Sequence, residues 1–275
     1  MSQQSQSTPP KSPRARPLAA IILAAGKGTR MKSDLPKVLH EVAARPMVHW
    51  VVDACEAVGC DPVVTVVGHR AELVRESLAG RPACTFVEQR EQLGTGHAVE
   101  QAREAADRWS PDTDVFVLCG DGPLIRTETL RTMLETHRAV DAAATLATAV
   151  LKDPAGYGRI VRDGSGRFQR IVEEKDAREA ERDIREVNPS YYIFRVKDLF
   201  DTLRKIDNRN AKGEYYITDV FARLLESGER VEVIDAVPAE DVLSINTPNQ
   251  LAEVDQVLRS RRDDQGTVPK AEATR

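Results

Sequence analysis

The chain has 275 residues and a mass of 30.4 kDa, which is enough for one large domain or two small ones with a substantial core. Its 30% of charged and 41% of hydrophobic residues are ordinary for a globular protein, and no apolar run approaches the ~18 residues of a membrane span. The formal net charge of -4 argues against a general nucleic-acid binder, because such proteins usually carry a basic surface.

The two ends of the chain are polar and differ in composition from the segment between them. Residues 1–16 are rich in proline and contain no hydrophobic segment, so we interpret them as a disordered tail rather than a secretory signal. Residues 261–275 have a similar composition, which leaves one domain over residues 17–260. The cysteines have no CxxC spacing and fit a reducing, cytoplasmic environment better than a disulfide framework or a zinc site: Cys55, Cys60, Cys84 and Cys119.

The first half of the domain alternates continuous apolar runs with helical patterns. Strands are predicted in LAAIILAAG, DPVVTVVGH, CTFVEQ and TDVFVLCGD. Apolar residues at helical spacing predict helices in RPMVHWVVDACEAVG and AELVRESLAG, and another helix begins near His97. Because apolar strands that alternate with amphipathic helices are typical of a parallel sheet covered on both faces, we predict a doubly wound α/β fold here.

The second half is richer in β-strand patterns. Strands are predicted in AAATLATAVL, GRIVRDGSGRFQRIVEE, EVNPSYYIFRV and RVEVIDAV, with a hairpin turn at RDGSGRF. Helices are predicted in GEYYITDVFARLLESG and TPNQLAEVDQVLRS. We expect this β-rich insertion to pack against the open end of the parallel sheet and to form the second wall of a cleft. Ligands of open α/β sheets bind beyond the carboxyl ends of the strands.

The first strand runs into a glycine-rich loop, GKGTR, that is followed by further cations. The loop lacks the GxxxxGK[ST] pattern of a Walker A motif and the third glycine of a dinucleotide-binding GxGxxG motif. Its glycines allow backbone amides to approach phosphate oxygens, and Arg30 and Lys37 can neutralise them. A bare GxG after a strand often serves only its turn, so the interpretation depends on a longer string.

That longer string, LAAGKGTRMKSDLPKVL, resembles the signature of the sugar-phosphate nucleotidyltransferases, and most closely that of the bacterial N-acetylglucosamine-1-phosphate uridylyltransferases. Four further strings follow in the order of that family: EQLGTGHA, GDGPL, GYGRI with IVEEKDA, and GEYYITD. Together they extend from about Leu18 to the final helix. The resemblance implies a doubly wound, mixed but mostly parallel Rossmann-like sheet with a β-rich sugar-binding insertion.

The reaction that the resemblance implies is Mg²⁺-dependent transfer of UMP from UTP to N-acetylglucosamine 1-phosphate. Its products would be pyrophosphate and UDP-N-acetylglucosamine, a precursor of the cell envelope. The attacking phosphate oxygen is already an anion, so the reaction needs alignment, charge neutralisation and a metal rather than an acid–base pair. No nucleic acid and no membrane partner is implied.

The resemblance also implies the residues of the site. Arg30 and Lys37 would bind the triphosphate, and Asp121 and Asn246 would hold the Mg²⁺. Asp121 alone would more often be a turn residue or helix cap, and Asn246 the entry to the last helix. The remaining nucleotide contacts fall on Leu23, Ala24, Ala25, Gly26, Gly28, Gln89, Gly94, Thr95 and Gly120, of which Gln89, Gly94 and Thr95 would surround the uracil. The sugar contacts fall on Gly158, Glu173, Asn188, Tyr216 and Thr218. His97 is expected to be a structural residue of its helix.

Four residues depart from the usual pattern of the family: Cys119, Gly122, Pro189 and Ser190. Pro189 favours an extended backbone at Asn188, which leaves open the same reaction on a different sugar or nucleotide. A non-catalytic nucleotide-sugar sensor is a further alternative, although it would not need a full set of phosphate and metal residues. The chain stops after the last helix without a hexapeptide repeat, so we expect no acetyltransferase activity. The sequence does not fix the oligomeric state.

Overall fold

Buried apolar runs form the strands of a central sheet, and amphipathic segments form helices on its two faces. The structure, a computed structural model, describes residues 16–243 and 245–266. The strands are β1 (Leu18–Ala24), β2 (Glu41–Val42), β3 (Arg45–Pro46), β4 (Val63–Val67), β5 (Cys84–Glu88), β6 (Asp114–Cys119), β7 (Ala144–Val150), β8 (Gly158–Arg162), β9 (Phe168–Val172), β10 (Glu186–Arg195) and β11 (Val231–Asp235). The helices are α1 (Met47–Ala57), α2 (Ala71–Leu78), α3 (Thr95–Glu100), α4 (Arg103–Ala106), α5 (Thr127–Ala139), α6 (Glu179–Arg182), α7 (Val196–Leu203), α8 (Asp219–Glu226) and α9 (Pro248–Gly266).

The strand order of the main sheet is β11-β7-β10-β6-β1-β4-β5. β1 pairs in parallel with β4 and β6, β4 pairs in parallel with β5, and β11 pairs in parallel with β7. β10 is antiparallel to both of its neighbours, β6 and β7. The predicted fold, a doubly wound and mostly parallel mixed sheet, is therefore confirmed.

The second half of the chain contributes more to this sheet than the sequence suggested. β7, β10 and β11 extend the main sheet instead of forming a separate insertion, and the β8–β9 hairpin leaves it from the first residues of β10. Burial explains why β7 joins the main sheet, because six of its seven residues are buried. A strand that is apolar on both faces needs cover on both faces, which the interior of the sheet provides.

The alternating residues of β1 show how the sheet divides the core into two layers. Ala20 and Ile22 pack in a cluster with α1, α2 and α5, whereas Ala19 and Ile21 pack in a second cluster with α3, α7 and α8. A third, smaller cluster joins α9 to β2, and its buried members include Val42, Val254 and Leu258. α9 is thereby held beside the loop that follows β1.

Both ends of the domain extend beyond the boundaries at residues 17 and 260. The side chain of Arg16 lies 3.2 Å from Asp114, so this residue belongs to the folded part. α9 continues to Gly266, and Arg262 in its last turns donates to the carbonyl of Ala43 at 3.2 Å. Most of the two predicted tails, residues 1–15 and 267–275, lies outside the described residues.

The helix predicted from Gly213 begins later, at Asp219. The segment 213–218 before it instead bonds to the loop before α3, because the amide of Tyr215 donates to Leu93 and its carbonyl accepts from Gly96. We call residues 213–218 the strap. None of the helices within the described ranges is both long enough and apolar enough to cross a bilayer.

Candidate active site

A cleft of about 280 Å³ opens at the carboxyl ends of the parallel strands β1 and β6. This is where open α/β sheets bind ligands. Eight of the predicted site residues line it: Leu23, Ala25, Gly26, Lys37, Gln89, Gly94, Thr95 and Asp121. Ala24, Gly28, Arg30, Gly120 and Asn246 lie around this cleft without lining it, and Ala24 is buried in the core at the end of β1.

One end of the cleft gathers four charged or polar side chains from distant parts of the chain. The ammonium of Lys37 contacts the carboxylate of Asp121 and donates to Asn246 Oδ1 at 2.9 Å. Arg30 Nη2 donates to the same Asn246 oxygen at 2.6 Å. The structure therefore brings together the four residues for which the resemblance implies phosphate and metal binding.

Local backbone geometry explains how these side chains meet. Gly28 adopts a φ of 64°, and a Cβ at that position would lie 2.7 Å from Lys37 Cβ, so a glycine lets the loop close onto Lys37. Gly120 approaches the end of β1 closely, since its amide donates to the carbonyl of Leu23 at 2.9 Å. The next residue, Asp121, thus extends from the end of β6 beside the loop.

The donor set of this end of the cleft fits a hard cation such as Mg²⁺. Asp121 offers a carboxylate oxygen and Asn246 a carboxamide oxygen, and both oxygens contact one ammonium. Mg²⁺ typically takes one or two protein oxygens and completes its shell with water and phosphate. Among the described residues no group of three or more His, Cys, Asp or Glu side chains could hold a metal. A Mg²⁺ ion held by the oxygens of Asp121 and Asn246 would leave its other coordination positions to water and phosphate oxygens.

The opposite end of the cleft is formed by the loop before α3. Gln89 is only 3% exposed, and its amide nitrogen donates to the carbonyl of Gly94 at 3.0 Å. Gly94 has a φ of 113°, and a Cβ there would lie 2.5 Å from the carbonyl oxygen of Tyr215 in the strap. Thr95 Oγ1 accepts from the amide of Ile217 at 3.0 Å. The strap therefore supports the loop that carries three predicted nucleotide residues.

The predicted sugar residues surround the start of β8 and the end of β9. Thr218 Oγ1 donates to Glu173 at 3.1 Å, and Gly158 pairs with Asn188 across the β8–β10 register. A Cβ at Gly158 would lie 3.1 Å from Ile171 Cγ2, so a larger residue there would require the Ile171 side chain to shift. The hydroxyl of Tyr216 donates to Asp176 Oδ2 at 3.3 Å.

Burial raises the pKa of two carboxyl groups among or next to the predicted sugar residues, Glu173 and Asp219. It raises the pKa of Glu173, and the hydrogen bond from Thr218 offsets part of that effect. Asp219 has its pKa raised to about 6, first by burial and then by the charge of Glu173. Both carboxyl groups therefore protonate more readily than ordinary ones, although none of the predicted sugar residues lines the 280 Å³ cleft itself.

Three of the residues that depart from the family pattern lie near one another. Cys119 lines the cleft, and burial, with the charge of Asp121, raises the pKa of its thiol to about 12, so it stays neutral. Ser190 has a φ of 67° and falls where β10 changes register, between Val187 and Tyr191. A Cβ at Gly122 would lie 4.0 Å from the ring of Tyr191.

Two polar residues that line the cleft, Gln92 and Glu214, are not among the predicted site residues. Gln92 Nε2 donates to the carbonyl of Gln89 at 3.3 Å and would lie 2.9 Å from a Cβ at Gly68. Asn210 holds the backbone of Glu214 by accepting from its amide and donating to its carbonyl. Both residues stand inside strings that carry the resemblance, EQLGTGHA and GEYYITD, so the signal was present in the sequence.

Relatives of known sequence agree with this architecture. Residues 20–225 match the MobA-like NTP transferase domain. The chain is 50% identical over 244 residues to the bifunctional protein GlmU of Geobacter metallireducens, covering 89% of this chain and 51% of that protein. It is 47% identical over 251 residues to the bifunctional protein GlmU of Desulfotalea psychrophila, covering 91% of this chain and 73% of that protein. The chain thus spans about half the length of the Geobacter relative.

A solved structure supports the fold independently. UDP-glucose pyrophosphorylase, solved in complex with UDP-glucose, superimposes with a TM-score of 0.70 and 16% identity, over 90% of this chain and all of that one. At 16% identity, this structural similarity supports the fold and not a shared function. The match over residues 20–225 and the relatives at 47–50% identity confirm the resemblance drawn from the five strings. The chain belongs to the MobA-like NTP transferase family of nucleotidyltransferases.

Proposed function

We propose that the protein is a Mg²⁺-dependent uridylyltransferase that makes UDP-N-acetylglucosamine and pyrophosphate from UTP and N-acetylglucosamine 1-phosphate. The observation that carries the proposal is the contact of Lys37 with both Asp121 and Asn246, beside Arg30, at one end of the cleft. Two cationic side chains that can bind phosphates lie beside two oxygen atoms that can bind a metal, which suits a triphosphate with its metal. The free cysteines fit a cytoplasmic enzyme.

The proposed reaction forms one bond and breaks another at the α-phosphorus of UTP. A phosphate oxygen of the sugar phosphate attacks that phosphorus, and the bond to the bridging oxygen of the β-phosphate breaks to release pyrophosphate. Lys37 and Arg30 would leave Asn246 to bind phosphate oxygens, where their charges stabilise the transition state and the leaving group. When bound by Asp121 and Asn246, Mg²⁺ supplies further positive charge to the phosphates.

The loop before α3 and the residues around the start of β8 would orient the reactants. Gln89, Gly94 and Thr95 would hold the uracil, and Glu173, Asn188 and Thr218 would hold the sugar hydroxyls and its N-acetyl group. Such fixed contacts place the attacking oxygen in line with the leaving group, which is the main contribution that a protein makes to phosphoryl transfer. No side chain has to remove a proton, because the nucleophile is already ionised.

The test is pyrophosphate release by the purified protein across a panel of sugar 1-phosphates and nucleoside triphosphates with Mg²⁺. We expect the highest kcat/KM for N-acetylglucosamine 1-phosphate with UTP. Poor turnover of that sugar phosphate beside rapid turnover of another would overturn the sugar assignment. Binding of UDP-sugars without turnover in any metal would favour a sensor instead.

A second candidate keeps the reaction and changes the sugar, and one observation favours it. The carboxamide of Asn188 is engaged at both ends within its own strand, because it donates to the hydroxyl of Tyr192 at 2.6 Å and accepts from the amide of Ser190 at 3.0 Å. Fewer of its hydrogen-bonding positions are left for an N-acetyl group. The same substrate panel separates the two candidates.

A further inference from the structure

The side-chain amide of Gln89 is held from its nitrogen side. Gln89 Nε2 lies 3.0 Å from the carbonyl oxygen of Gly94. A carbonyl oxygen can only accept, so the nitrogen of this amide, and not its oxygen, must face Gly94. Because Gln89 is 3% exposed and lines the cleft, the orientation of its amide decides which hydrogen-bonding group the cleft presents.

The second hydrogen of the same nitrogen points at a histidine. Gln89 Nε2 lies 3.0 Å from Nδ1 of His97, a residue in the first turn of α3. For this contact to be a hydrogen bond, Nδ1 must be an unprotonated acceptor, and the proton of the neutral imidazole must be on Nε2. Both hydrogens of the amide are then engaged, and Gln89 Oε1 is left as the acceptor.

A competing contact tests this assignment, because Gln101 Nε2 lies 3.2 Å from His97 Nε2 and donates to the carbonyl of His97 at 3.0 Å. Only one nitrogen of a neutral imidazole can accept. If Nε2 accepted, the proton on Nδ1 would require the Gln89 amide to turn, and its oxygen would then oppose the carbonyl of Gly94. Gln101 is more exposed than Gln89 and can turn away from the ring at lower cost.

We propose that His97 is a positioning residue that fixes the Gln89 amide with Oε1 directed into the cleft, and that it thereby selects uracil over cytosine. Uracil carries a proton at N3 that an acceptor can receive, whereas cytosine carries a lone pair there and would be repelled. This inference rests on the proposed function, which places the base at Gln89. It revises the expectation that His97 serves only its helix.

Two substitutions of the same shape separate the hydrogen bond from the packing. Asparagine at position 97 places an acceptor oxygen close to the position of Nδ1, whereas leucine has nearly the same outline and no acceptor. We expect H97L to lower the ratio of kcat/KM for UTP to that for CTP by about tenfold or more, mainly through the KM for UTP. H97N keeps the ratio within about threefold of the wild type. Q101M, which removes the competing amide, leaves it unchanged.

The ratio of the dissociation constants of UDP and CDP, measured by calorimetry, gives the same comparison without turnover. If the protein turned over neither UTP nor CTP, the proposed function would be wrong. The selectivity between UDP and CDP could still be measured by binding, so the inference about His97 is tested separately. ¹⁵N spectra of the imidazole, assigned by the loss of one signal in H97N, should show the proton on Nε2 of His97 in the wild type. A proton on Nδ1, or an unchanged selectivity in folded H97L, would overturn the inference. If H97L does not fold, the position of the proton on His97 in the wild type decides whether the inference holds.

Discussion

Lys37 Nζ lies 2.9 Å from the carboxamide oxygen of Asn246, a residue 209 positions later in the chain, while it also contacts Asp121. An ammonium therefore lies between the two oxygens that we propose as metal ligands. A free divalent cation has to displace it, whereas the phosphates of a nucleotide attract it away from both oxygens. Metal and nucleotide are expected to bind more tightly together than either does alone.

Removal of this ammonium should strengthen metal binding and weaken catalysis at the same time. In the absence of nucleotide we expect K37M to bind Mn²⁺, used as a paramagnetic probe for Mg²⁺, about tenfold more tightly than the wild type, because Asp121 loses its partner charge. The same variant should lose roughly a hundredfold in kcat, since the transition state loses a cation. Electron paramagnetic resonance titration measures the first effect and pyrophosphate release the second.

The matched control for that experiment is K32M, which removes an exposed lysine from the same loop. It should leave both the Mn²⁺ affinity and kcat close to those of the wild type. Equal Mn²⁺ affinity of K37M and the wild type would show that Lys37 does not compete with the metal.

A single methyl group added at Gly94 should disturb the loop before α3, which carries predicted nucleotide-binding residues. An alanine there would have to adopt a φ of 113° and would place its Cβ 2.5 Å from the carbonyl oxygen and 2.8 Å from the nitrogen of Tyr215. We expect G94A to lower the free energy of unfolding by ~2–3 kcal/mol and to raise the KM for UTP, because the loop can no longer rest on the strap. Denaturant unfolding and initial rates measure the two effects.

A second glycine provides the comparison. Gly80 has no atom within 4 Å of its would-be Cβ, so G80A should change neither stability nor KM appreciably. A G94A variant that is as stable as G80A would show that the strap and the loop can separate without cost.

The strands could be predicted from the sequence because their apolar runs are continuous, but their order in the sheet could not. The sequences of β7 and β10 predict strands, but neither sequence indicates that β10 lies between β6 and β7. α5 is difficult to predict from the sequence, since of its thirteen residues only Thr129, Leu130, Met133 and His137 are buried. A helix with so narrow an apolar face gives a weak periodic signal.

The candidate site was predictable in its residue types and not in its contacts. Lys37 and Asp121 are 84 positions apart, and no spacing rule predicts that they touch. Their shared assignment came from the resemblance of several strings to one family. The proposed role of His97 is not predictable from the sequence for a related reason. His97 has the pattern of an ordinary helical residue, and its role depends on the orientation of the Gln89 amide.

Glu173 should determine binding of the sugar without affecting the nucleotide. E173Q keeps an acceptor for Thr218 and removes the charge, so we expect the KM for the sugar 1-phosphate to rise about tenfold while the KM for UTP changes little. Burial raises the pKa of Glu173, so protonation of the wild type on acidification should mimic the variant. The KM for the sugar phosphate should then rise as the pH falls in the wild type and stay flatter in E173Q. E179Q, at an exposed position, is the control, and a pH dependence identical in all three proteins would contradict the assignment.

Asp114, at the end of the sheet opposite the cleft, should make stability depend on pH. Its side chain is fully buried, and it accepts from Arg138 Nε at 2.7 Å and lies 3.2 Å from Arg16 Nε and 3.4 Å from His137 Nε2. Burial alone would raise the pKa of this carboxyl, but His137, Arg138 and Arg16 outweigh burial and hold its pKa below the ordinary value.

A lowered carboxyl pKa stabilises the folded state above the unfolded value of about 3.9, and this stabilisation is lost as the pH falls towards the folded value. We therefore expect D114N to lower the free energy of unfolding by roughly 3 kcal/mol at pH 7, because the partly buried guanidinium groups of Arg16 and Arg138 lose their partner charge. The difference from the wild type should shrink as the pH falls below about 4. Urea unfolding across this range measures it, with the exposed Asp112 in D112N as the control. A difference that stayed constant with pH would mean that the carboxyl contributes through packing rather than charge.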